Sequence, residues 1–367
     1  MGLSPSDTMP EFEKRRTALT ARLSEHKIDA LLVTHGPNIR YLTGFTGSNG
    51  LLLATPAGAF FFTDPRYTVQ SGEEVDCKTE IVKKGPLVEA AAKAIKRLKI
   101  KRLGFDSGRL TVDAYERLKT ELPLGVTLKA SSGLVETLRL IKSNEEVAAI
   151  RRAVEANSKA FQHTVPLIRP GPRESDVAAE LEFQMRRSGA EKPSFETIVA
   201  AGVRSALPHA HPTNHRIANN ELLLIDMGAT LDGYCSDMTR VAFLGTPPQK
   251  VKRMYRAVLE AQKAAISIIK EGVTAGQVDK AARDVLKKHG LEKSFLHSTG
   301  HGLGLEIHEA PRIAAGEKTK LEAGMVITIE PGAYEEGFGG IRIEDTVLVT
   351  RYSREVLTPT PKELINL

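Results

Sequence analysis

The feature that most constrains this 367-residue chain is a faint internal repeat in its second part. Four matched pairs share a constant offset of 101 positions: Gly171 with Gly272, Val177 with Val278, Gly189 with Gly290, and Glu191 with Glu292. Each copy has the pattern of a helix, a turn, a second helix and a glycine stop. At an offset of 104, Ile225–Ala229 resembles Ile329–Ala333, and both follow apolar runs typical of strands. A duplicated helix-helix-strand half predicts a pseudo-symmetric α+β domain.

The first third of the chain has a different pattern, in which short helices and strands alternate. Six segments are predicted there: a helix at Glu11–His26, a strand at Ala30–Val33, a turn-rich stretch at Asn38–Gly50, a hairpin at Leu51–Thr63, a helix at Lys84–Leu98 and a strand at Arg102–Phe105. Ser143 and Glu146 then form a capping box that predicts a long helix from about Asn144 to Thr164. We therefore predict a small α/β domain at 1–137 and the duplicated domain at 138–367.

Composition excludes several classes of protein. Hydrophobic residues at 41% and charged residues at 26% are typical of a globular chain, and the net charge of +6 is dispersed among acids. No nucleic-acid partner is therefore expected. No apolar run approaches the ~18 residues of a membrane span, and the first residues lack the apolar region of a signal peptide. With only two cysteines, Cys77 and Cys235, a reducing compartment is the default, so we expect a cytoplasmic protein without a membrane partner.

Four acids lie in the apolar strand-like runs of the two repeat halves. Asp226 and Asp237 flank a turn centred at 231.5, and Glu330 and Glu344 flank one centred at 337. In a hairpin centred at 231.5 the two aspartates would stand opposite one another, with Cβ atoms within about 5.5 Å. Four such carboxylates would repel one another and lose hydration unless cations neutralised them.

Histidines cluster between the two acid pairs. Residues 297–308 contain His297, His301 and His308, and His209 lies just before the first acid strand. One imidazole with four carboxylates suits two divalent ions such as manganese, cobalt, iron or zinc. Pairs of such ions polarise a carbonyl and activate water in many hydrolases.

The strings IDMGA, SDMTR, HGLGLEIHE, TIEPG and RIEDT resemble the pita-bread metallopeptidases, and this resemblance covers about residues 138–367. The first third, with NIRYLTGFTGS and TDPRY, resembles the additional N-terminal domain of the proline-specific branch, which contains prolidase and aminopeptidase P. Methionine aminopeptidases lack this domain, and creatinases have it without the metal ligands. All five ligands are intact here, which counts against a creatinase and against a non-catalytic homologue.

The resemblance implies a role for each site residue. Five residues would hold two divalent metal ions, with manganese or cobalt expected and zinc or iron as alternatives: Asp226, Asp237, His301, Glu330 and Glu344. In that pattern Asp226 chelates one ion, His301 and Glu330 chelate the other, and Asp237 and Glu344 bridge them.

The resemblance also implies which residues act on the substrate. Glu330 would also relay a proton to the leaving nitrogen. His209 and His308 would donate hydrogen bonds to the scissile carbonyl and the oxyanion. His297 would line the proline pocket, and Arg342 would orient a ligand carboxylate or the substrate.

The resemblance leaves the length of the substrate open. Prolidases resemble one another in placing an arginine against the proline carboxylate, and Arg312 occupies that position in this sequence. We therefore favour an Xaa-Pro dipeptidase over an aminopeptidase P that acts on longer peptides. A methionine aminopeptidase and a non-catalytic binding homologue remain as further alternatives. The substrates would be proline-containing di- or oligopeptides, and the resemblance implies a homodimer in which the first domain narrows access to the partner's site.

Overall fold

The computed structural model describes residues 10–367 and divides into two compact units, one ending at Arg139 and the other spanning Leu140–Leu367. The start of the chain, on which the absence of a signal peptide was predicted, lies partly outside the described residues. Within the described part, no helix is both long and apolar enough to cross a membrane.

The first unit is built on a six-stranded mixed sheet with the strand order β4-β3-β2-β1-β5-β6. Its strands are β1 (Ala30–Val33), β2 (Gly50–Thr55), β3 (Gly58–Thr63), β4 (Lys78–Ile81), β5 (Arg102–Phe105) and β6 (Thr127–Ala130). Its helices are α1 (Glu11–Arg22), α2 (Gly36–Thr43), α3 (Thr68–Glu74), α4 (Leu87–Arg97), α5 (Val112–Glu121) and α6 (Leu134–Arg139). The core contains Leu32, Phe62, Ile95 and Leu103, which confirms the predicted α/β character.

One local prediction in this unit is wrong. The stretch predicted as turn-rich begins with a helix, α2, whose first turn contains Pro37 and whose C-cap is Gly44 at φ 80°. Proline at a helix start and a left-handed glycine just past its end are both favourable. The helix buries Asn38, Tyr41 and Leu42, so packing stabilises a segment whose composition alone indicates turns.

The second unit contains the duplicated halves. Its helices are α7 (Asn144–Thr164), α8 (Glu174–Arg187), α9 (Gln249–Ser267) and α10 (Ala275–Lys288). The bounds of α8 and α10 differ by the predicted offset of 101, and Gly189 and Gly290 follow them with φ of 99° and 73°. The capping box at Ser143 begins α7 as predicted. The pseudo-symmetric α+β architecture is therefore confirmed.

The strands of the second unit form four small sheets. The first half contributes β7 (Lys192–Pro193), β8 (Ile198–Ala201), β9 (Leu222–Met227), β10 (Ala229–Leu231), β11 (Tyr234–Cys235) and β12 (Met238–Phe243). The second half contributes β13 (Gly300–Gly302), β14 (Glu309–Ile313), β15 (Val326–Ile329), β16 (Gly332–Glu335), β17 (Gly339–Arg342), β18 (Asp345–Val349), β19 (Arg354–Val356) and β20 (Ile365–Asn366). The strand β20 returns to the first half, where it pairs in parallel with β12. Buried residues of both halves, such as Leu224 and Ile327, share one core.

Candidate metal centre

A cavity of about 700 Å³ opens in the second unit. All ten residues that the sequence proposed for the site line its wall: His209, Asp226, Asp237, His297, His301, His308, Arg312, Glu330, Arg342 and Glu344. The structure therefore brings together every predicted site residue, although they are spread over more than 130 positions of the chain.

The acids lie where regular strand pairing is interrupted. Glu330 falls between β15 and β16, and Glu344 between β17 and β18. The pairs Ile329–Asp345 and Gly332–Arg342 on either side are both centred at 337, which confirms the predicted centre of this hairpin.

The predicted register of the first acid pair is wrong. Asp226 of β9 pairs with Thr239 of β12 rather than with Asp237, so the true centre is 232.5. The shift arises from a two-residue turn at Asp232 and Gly233, which have φ of 51° and 75°. Two positive φ values suit a hairpin turn of this length, and they move the centre of the hairpin one position later in the sequence. Asp237 consequently lies just before β12, diagonal to Asp226.

His301 brings its ring nitrogen to the acids. Its Nδ1 lies 2.9 Å from the carbonyl oxygen of Gly302, which it can serve only as a donor. Nε2 then remains as an acceptor and lies 3.4 Å from Glu330 Oε1 and 3.7 Å from Asp237 Oδ2. Donor atoms of Asp237, His301 and Glu344 all lie within 4.8 Å of one another, a spacing that fits coordination of a shared cation.

The electrostatics of the cluster indicate that it binds cations. Burial, followed by repulsion from the neighbouring acids, raises the pKa values of Asp237 and Glu344 well above their ordinary range. Burial also raises the pKa of Glu330 to about 7. Asp226 Oδ1 and Glu344 Oε1 are buried without a hydrogen-bond partner among the described residues. Buried oxygens are normally satisfied, so carboxylate oxygens left open beside an imidazole nitrogen fit divalent metal ions.

Arg342 places a positively charged side chain within the acid cluster. Its buried guanidinium donates to Asp226 Oδ2 at 2.5 Å, Thr239 Oγ1 at 3.1 Å, the Pro208 carbonyl at 3.1 Å and Tyr334 Oη at 2.7 Å. Four of its five N–H donors are therefore used within the protein. One of these hydrogen bonds holds the carboxylate of Asp226.

Sequence reasoning missed two residues that support the site. Tyr334 Oη lies 2.8 Å from His297 Nε2 and accepts from Arg342, and burial raises the pKa of Tyr334 to about 12. Thr239 donates to Glu344 Oε2 at 2.7 Å. The available signals were the threonine of the SDMTR string and a tyrosine four positions after Glu330 in the same extended run.

The other three predicted histidines, His209, His297 and His308, line the same cavity as the acids. The ring of His308 packs edge-on against His301, with centroids 4.5 Å apart. His297 lies between Phe295 and Tyr334, with ring centroids 5.0 and 5.5 Å away. His209 is exposed at the cavity wall.

Arg312 lies on β14, directly opposite His301 of β13, with its side chain exposed at the cavity. Part of the cavity wall is apolar and was not predicted from the sequence; it is formed by Phe195, Ile198 and Ile307.

Fold and donor set together define a metal-dependent hydrolase with a duplicated catalytic domain. Two family models match the chain: metallopeptidase family M24 over residues 148–351 and the creatinase/prolidase N-terminal domain over residues 15–141. The chain therefore belongs to metallopeptidase family M24 and is a peptidase. Membership of this family implies divalent metal ions.

Three similar proteins extend over nearly the whole chain. An Xaa-Pro dipeptidase of Pyrococcus horikoshii is 39% identical over 94% of this chain and 96% of the relative. The structure of an Xaa-Pro dipeptidase from Bacillus anthracis superimposes with a TM-score of 0.94 at 41% identity, covering 97% of this chain and 100% of that one. An X-Pro aminopeptidase from Thermotoga maritima has a TM-score of 0.88 at 37% identity, covering 93% and 98%.

Proposed function

We propose that this peptidase is an Xaa-Pro dipeptidase, which hydrolyses the bond between a first residue and a following proline. The observation that carries the proposal is that five metal-donor side chains and the exposed arginine Arg312 line the same cavity. The two dipeptidases named above, which match both domains, support it. In our proposal the first domain is 1–137 and the catalytic domain 138–367.

The five donors would hold two ions, manganese or cobalt, with zinc or iron as alternatives. Asp226 would bind one ion, His301 and Glu330 the other, and Asp237 and Glu344 both. The open oxygens of Asp226 and Glu344 support this division. Bound ions of this kind polarise a carbonyl and lower the pKa of water.

The protein's own groups would then bind the substrate and move protons. Glu330 would take a proton within the cavity and return it to the imino nitrogen that leaves. His209 and His308 would donate hydrogen bonds to the scissile carbonyl and to the charge that develops on it. Burial lowers the pKa of His308, so its ring is neutral near pH 7 and keeps one N–H to donate.

Proline would be recognised through the shape of its ring and, in a dipeptide, its carboxylate. An Xaa-Pro amide has no N–H, so the enzyme needs a ring-shaped pocket rather than an acceptor for a scissile N–H. His297, fixed by Tyr334, would line that pocket. Arg312 would pair with the proline carboxylate in a charge-assisted contact.

Replacing Arg312 tests the dipeptidase proposal. Arg312→Ala should raise KM for Ala-Pro by roughly 10- to 200-fold, because a lost charged hydrogen bond costs about 1.5–3 kcal/mol. KM for Ala-Pro-Ala should hardly change, since a tripeptide has an amide at that position. Arg351→Ala is the matched control, an exposed arginine that lies against Tyr352 and outside the cavity. Equal losses on both substrates would mean that Arg312 only supports its strand.

The second candidate is an aminopeptidase that removes the first residue from longer Xaa-Pro peptides. The 37% identical X-Pro aminopeptidase from Thermotoga maritima favours it. Wild-type preference for Ala-Pro-Ala over Ala-Pro would establish this function instead. Comparing Met-Ala-Ser with Met-Pro and Met-Pro-Ser excludes or reveals methionine aminopeptidase activity. A protein without activity on any of these peptides would be a binding homologue.

We also propose a cytoplasmic homodimer in which the first domain narrows access to the partner's site. Free thiols at Cys77 and Cys235 support a reducing compartment. Sedimentation equilibrium of the purified chain tests the dimer, and a monomer that is fully active would contradict it.

A further inference from the structure

Glu174 is a buried carboxylate that the metal centre does not use. It begins α8, and its side chain is 0% exposed. Its two oxygens accept hydrogen bonds from Ala201 N at 2.8 Å, Thr213 N at 3.0 Å and Thr213 Oγ1 at 2.7 Å, and from Arg204 Nε at 3.0 and 3.1 Å. A carboxylate so deeply buried destabilises a protein unless it is fully partnered. Within residues 10–367, the hydrogen-bond donors to this carboxylate all belong to one segment, residues 201–213.

This segment, which we call the His209 loop, has both ends fixed to the same side chain. Ala201 at its start and Thr213 at its end bind opposite oxygens of Glu174. Arg204 extends the contact, because its Nη2 donates to the carbonyl of His211 at 2.8 Å. The first turn of α8 adds a backbone bond from Ser175 N to the Thr213 carbonyl at 3.1 Å. The carboxylate of Glu174 therefore holds the two ends of the loop together.

His209 lies between the two fixed ends of this loop, and the carbonyl of Pro208, the residue just before it, accepts a hydrogen bond from Arg342 at 3.1 Å. In the part of the chain that the structure describes, the ring of His209 makes no side-chain hydrogen bond, and it is exposed at the cavity. A side chain without partners is held only by the backbone that carries it. Substrate-directed donors must keep their geometry within a fraction of an ångström to act.

The second half of the duplicated domain contains a comparable arrangement. Asp279 on α10 is also 0% exposed and binds Arg283 and Thr299 at 2.8 and 2.7 Å. Arg283 in turn donates to the carbonyl of His297 at 2.7 Å. Position 275, which corresponds to Glu174 in the repeat, is an alanine. A buried acid and an arginine thus fix a histidine-bearing segment in each half, through residues at different positions of the repeat.

We propose that Glu174 is a positioning residue that holds His209 at the substrate-facing wall of the cavity. The inference rests on the proposed function, in which His209 donates a hydrogen bond to the substrate. Among the described residues, no hydrogen bond joins the Glu174 carboxylate to a metal donor. Its removal should therefore impair turnover while the metal content stays unchanged.

Four variants of the full-length, manganese-loaded protein test this proposal: Glu174→Gln, Thr213→Val, His209→Ala and the double variant of Glu174→Gln with His209→Ala. Glu146→Gln is the matched control, a buried glutamate in the first turn of α7 that accepts from Tyr234 Oη at 3.0 Å. The measurements are bound metal by elemental analysis, hydrogen exchange of residues 201–213, and kcat and KM on Ala-Pro.

We expect Glu174→Gln to keep its metal and to show faster hydrogen exchange in the His209 loop. Its kcat should fall by roughly tenfold or more, with an upper limit of about 10²–10³, the usual loss when one hydrogen-bond donor to the substrate is removed. The double variant should be no slower than His209→Ala alone, because both changes remove the same contribution. Thr213→Val removes a hydroxyl that donates to Glu174 and accepts from His215 N at 3.2 Å. It should show a smaller effect of the same kind, and this variant tests the proposal if Glu174→Gln does not fold.

Unchanged kcat in Glu174→Gln, loss of metal, or losses that multiply in the double variant would each overturn the proposal. A general structural effect would appear equally in Glu146→Gln. If the wild-type protein cleaves no Xaa-Pro peptide, the proposed function fails. Hydrogen exchange of residues 201–213 still decides in that case whether Glu174 holds the loop.

Discussion

Removing the metal should make the acid cluster take up protons. Burial raises the pKa of Glu330 from its ordinary 4.5 to about 7, and those of Asp237 and Glu344 well above their usual range. An acid with a raised pKa binds its proton more tightly in the folded state. Its contribution to stability is therefore present below about pH 4.5 and is lost as the pH rises through about 7. For Glu330 alone the full effect corresponds to about 3 kcal/mol.

At lower pH, the histidines of the site have the opposite effect on the stability of the folded protein. Burial lowers the pKa of His297 to about 4 and also lowers that of His301. A lowered histidine pKa gives stability that is present above about pH 6.5 and lost as the pH falls through the folded value. The two effects oppose one another below about pH 6.5, and above it the acids dominate.

The metal-free protein should therefore lose stability between about pH 6.5 and about pH 8. Glu330 contributes about 1 kcal/mol of this loss, and Asp237 and Glu344 add to it. The metal-loaded protein should not show the loss, because bound cations keep the carboxylates ionised. Calorimetric unfolding of the whole chain at both pH values, with chelator or with manganese, measures the difference.

The same reasoning predicts proton release when manganese binds at pH 7. Titration calorimetry in two buffers of different ionisation enthalpy counts these protons. At least about half a proton should leave Glu330, whose pKa is near that pH. Binding without proton release, together with identical pH dependence of the loaded and stripped proteins, would refute this account of the cluster.

Three further predictions concern single residues. His301→Ala should lose at least one metal ion per chain and nearly all activity, since the acids cannot replace its nitrogen; elemental analysis showing two ions with normal turnover would contradict this. His209→Ala and His308→Ala should keep both ions yet lower kcat by about 10²–10³, and metal loss in either would refute our division of roles. Arg240→Met should destabilise the protein by about 3–5 kcal/mol, because its buried guanidinium binds Asp345 at 2.8 Å and four backbone carbonyls; an unchanged unfolding temperature would show that this network is dispensable.

Local patterns predicted those parts of the fold that depend on neighbours in sequence. The capping box of Ser143 and Glu146 set the start of α7, and the apolar runs of β1 and β5 were found with their observed bounds. The repeat offset of 101 gave the correspondence of α8 and α10, because each helix has the same turn before it and a glycine after it.

The register of the two hairpins depends on backbone conformation at the turns, which cannot be predicted from the spacing of the acids. The centre at 337 was right, whereas the first acid pair was placed two positions away from the observed partner of Asp226. The cause is the positive φ of Asp232 and Gly233, which selects where the chain reverses. Either turn would have kept both aspartates in apolar surroundings, so hydrophobic patterning could not distinguish them.

The donors of the site could be predicted, but their supporting residues could not. Carboxylates and imidazoles in apolar strands are unusual enough to indicate metal chemistry by themselves. Tyr334, Thr239 and Glu174 are ordinary residue types, and only contacts between distant segments, such as Thr239 with Glu344, reveal what they do.

The pairing of β20 with β12 joins two segments that are synthesised at different times. The ribosome adds Glu344 more than one hundred residues after Asp237, and β20 about 120 residues after β12. At about 5–20 residues per second, that interval is roughly 5–25 s. Until Glu344 has been added, the donor set that begins with Asp226 and Asp237 stays incomplete. Capture of metal by the full set is consequently a late event, which follows synthesis of both halves and not of either alone.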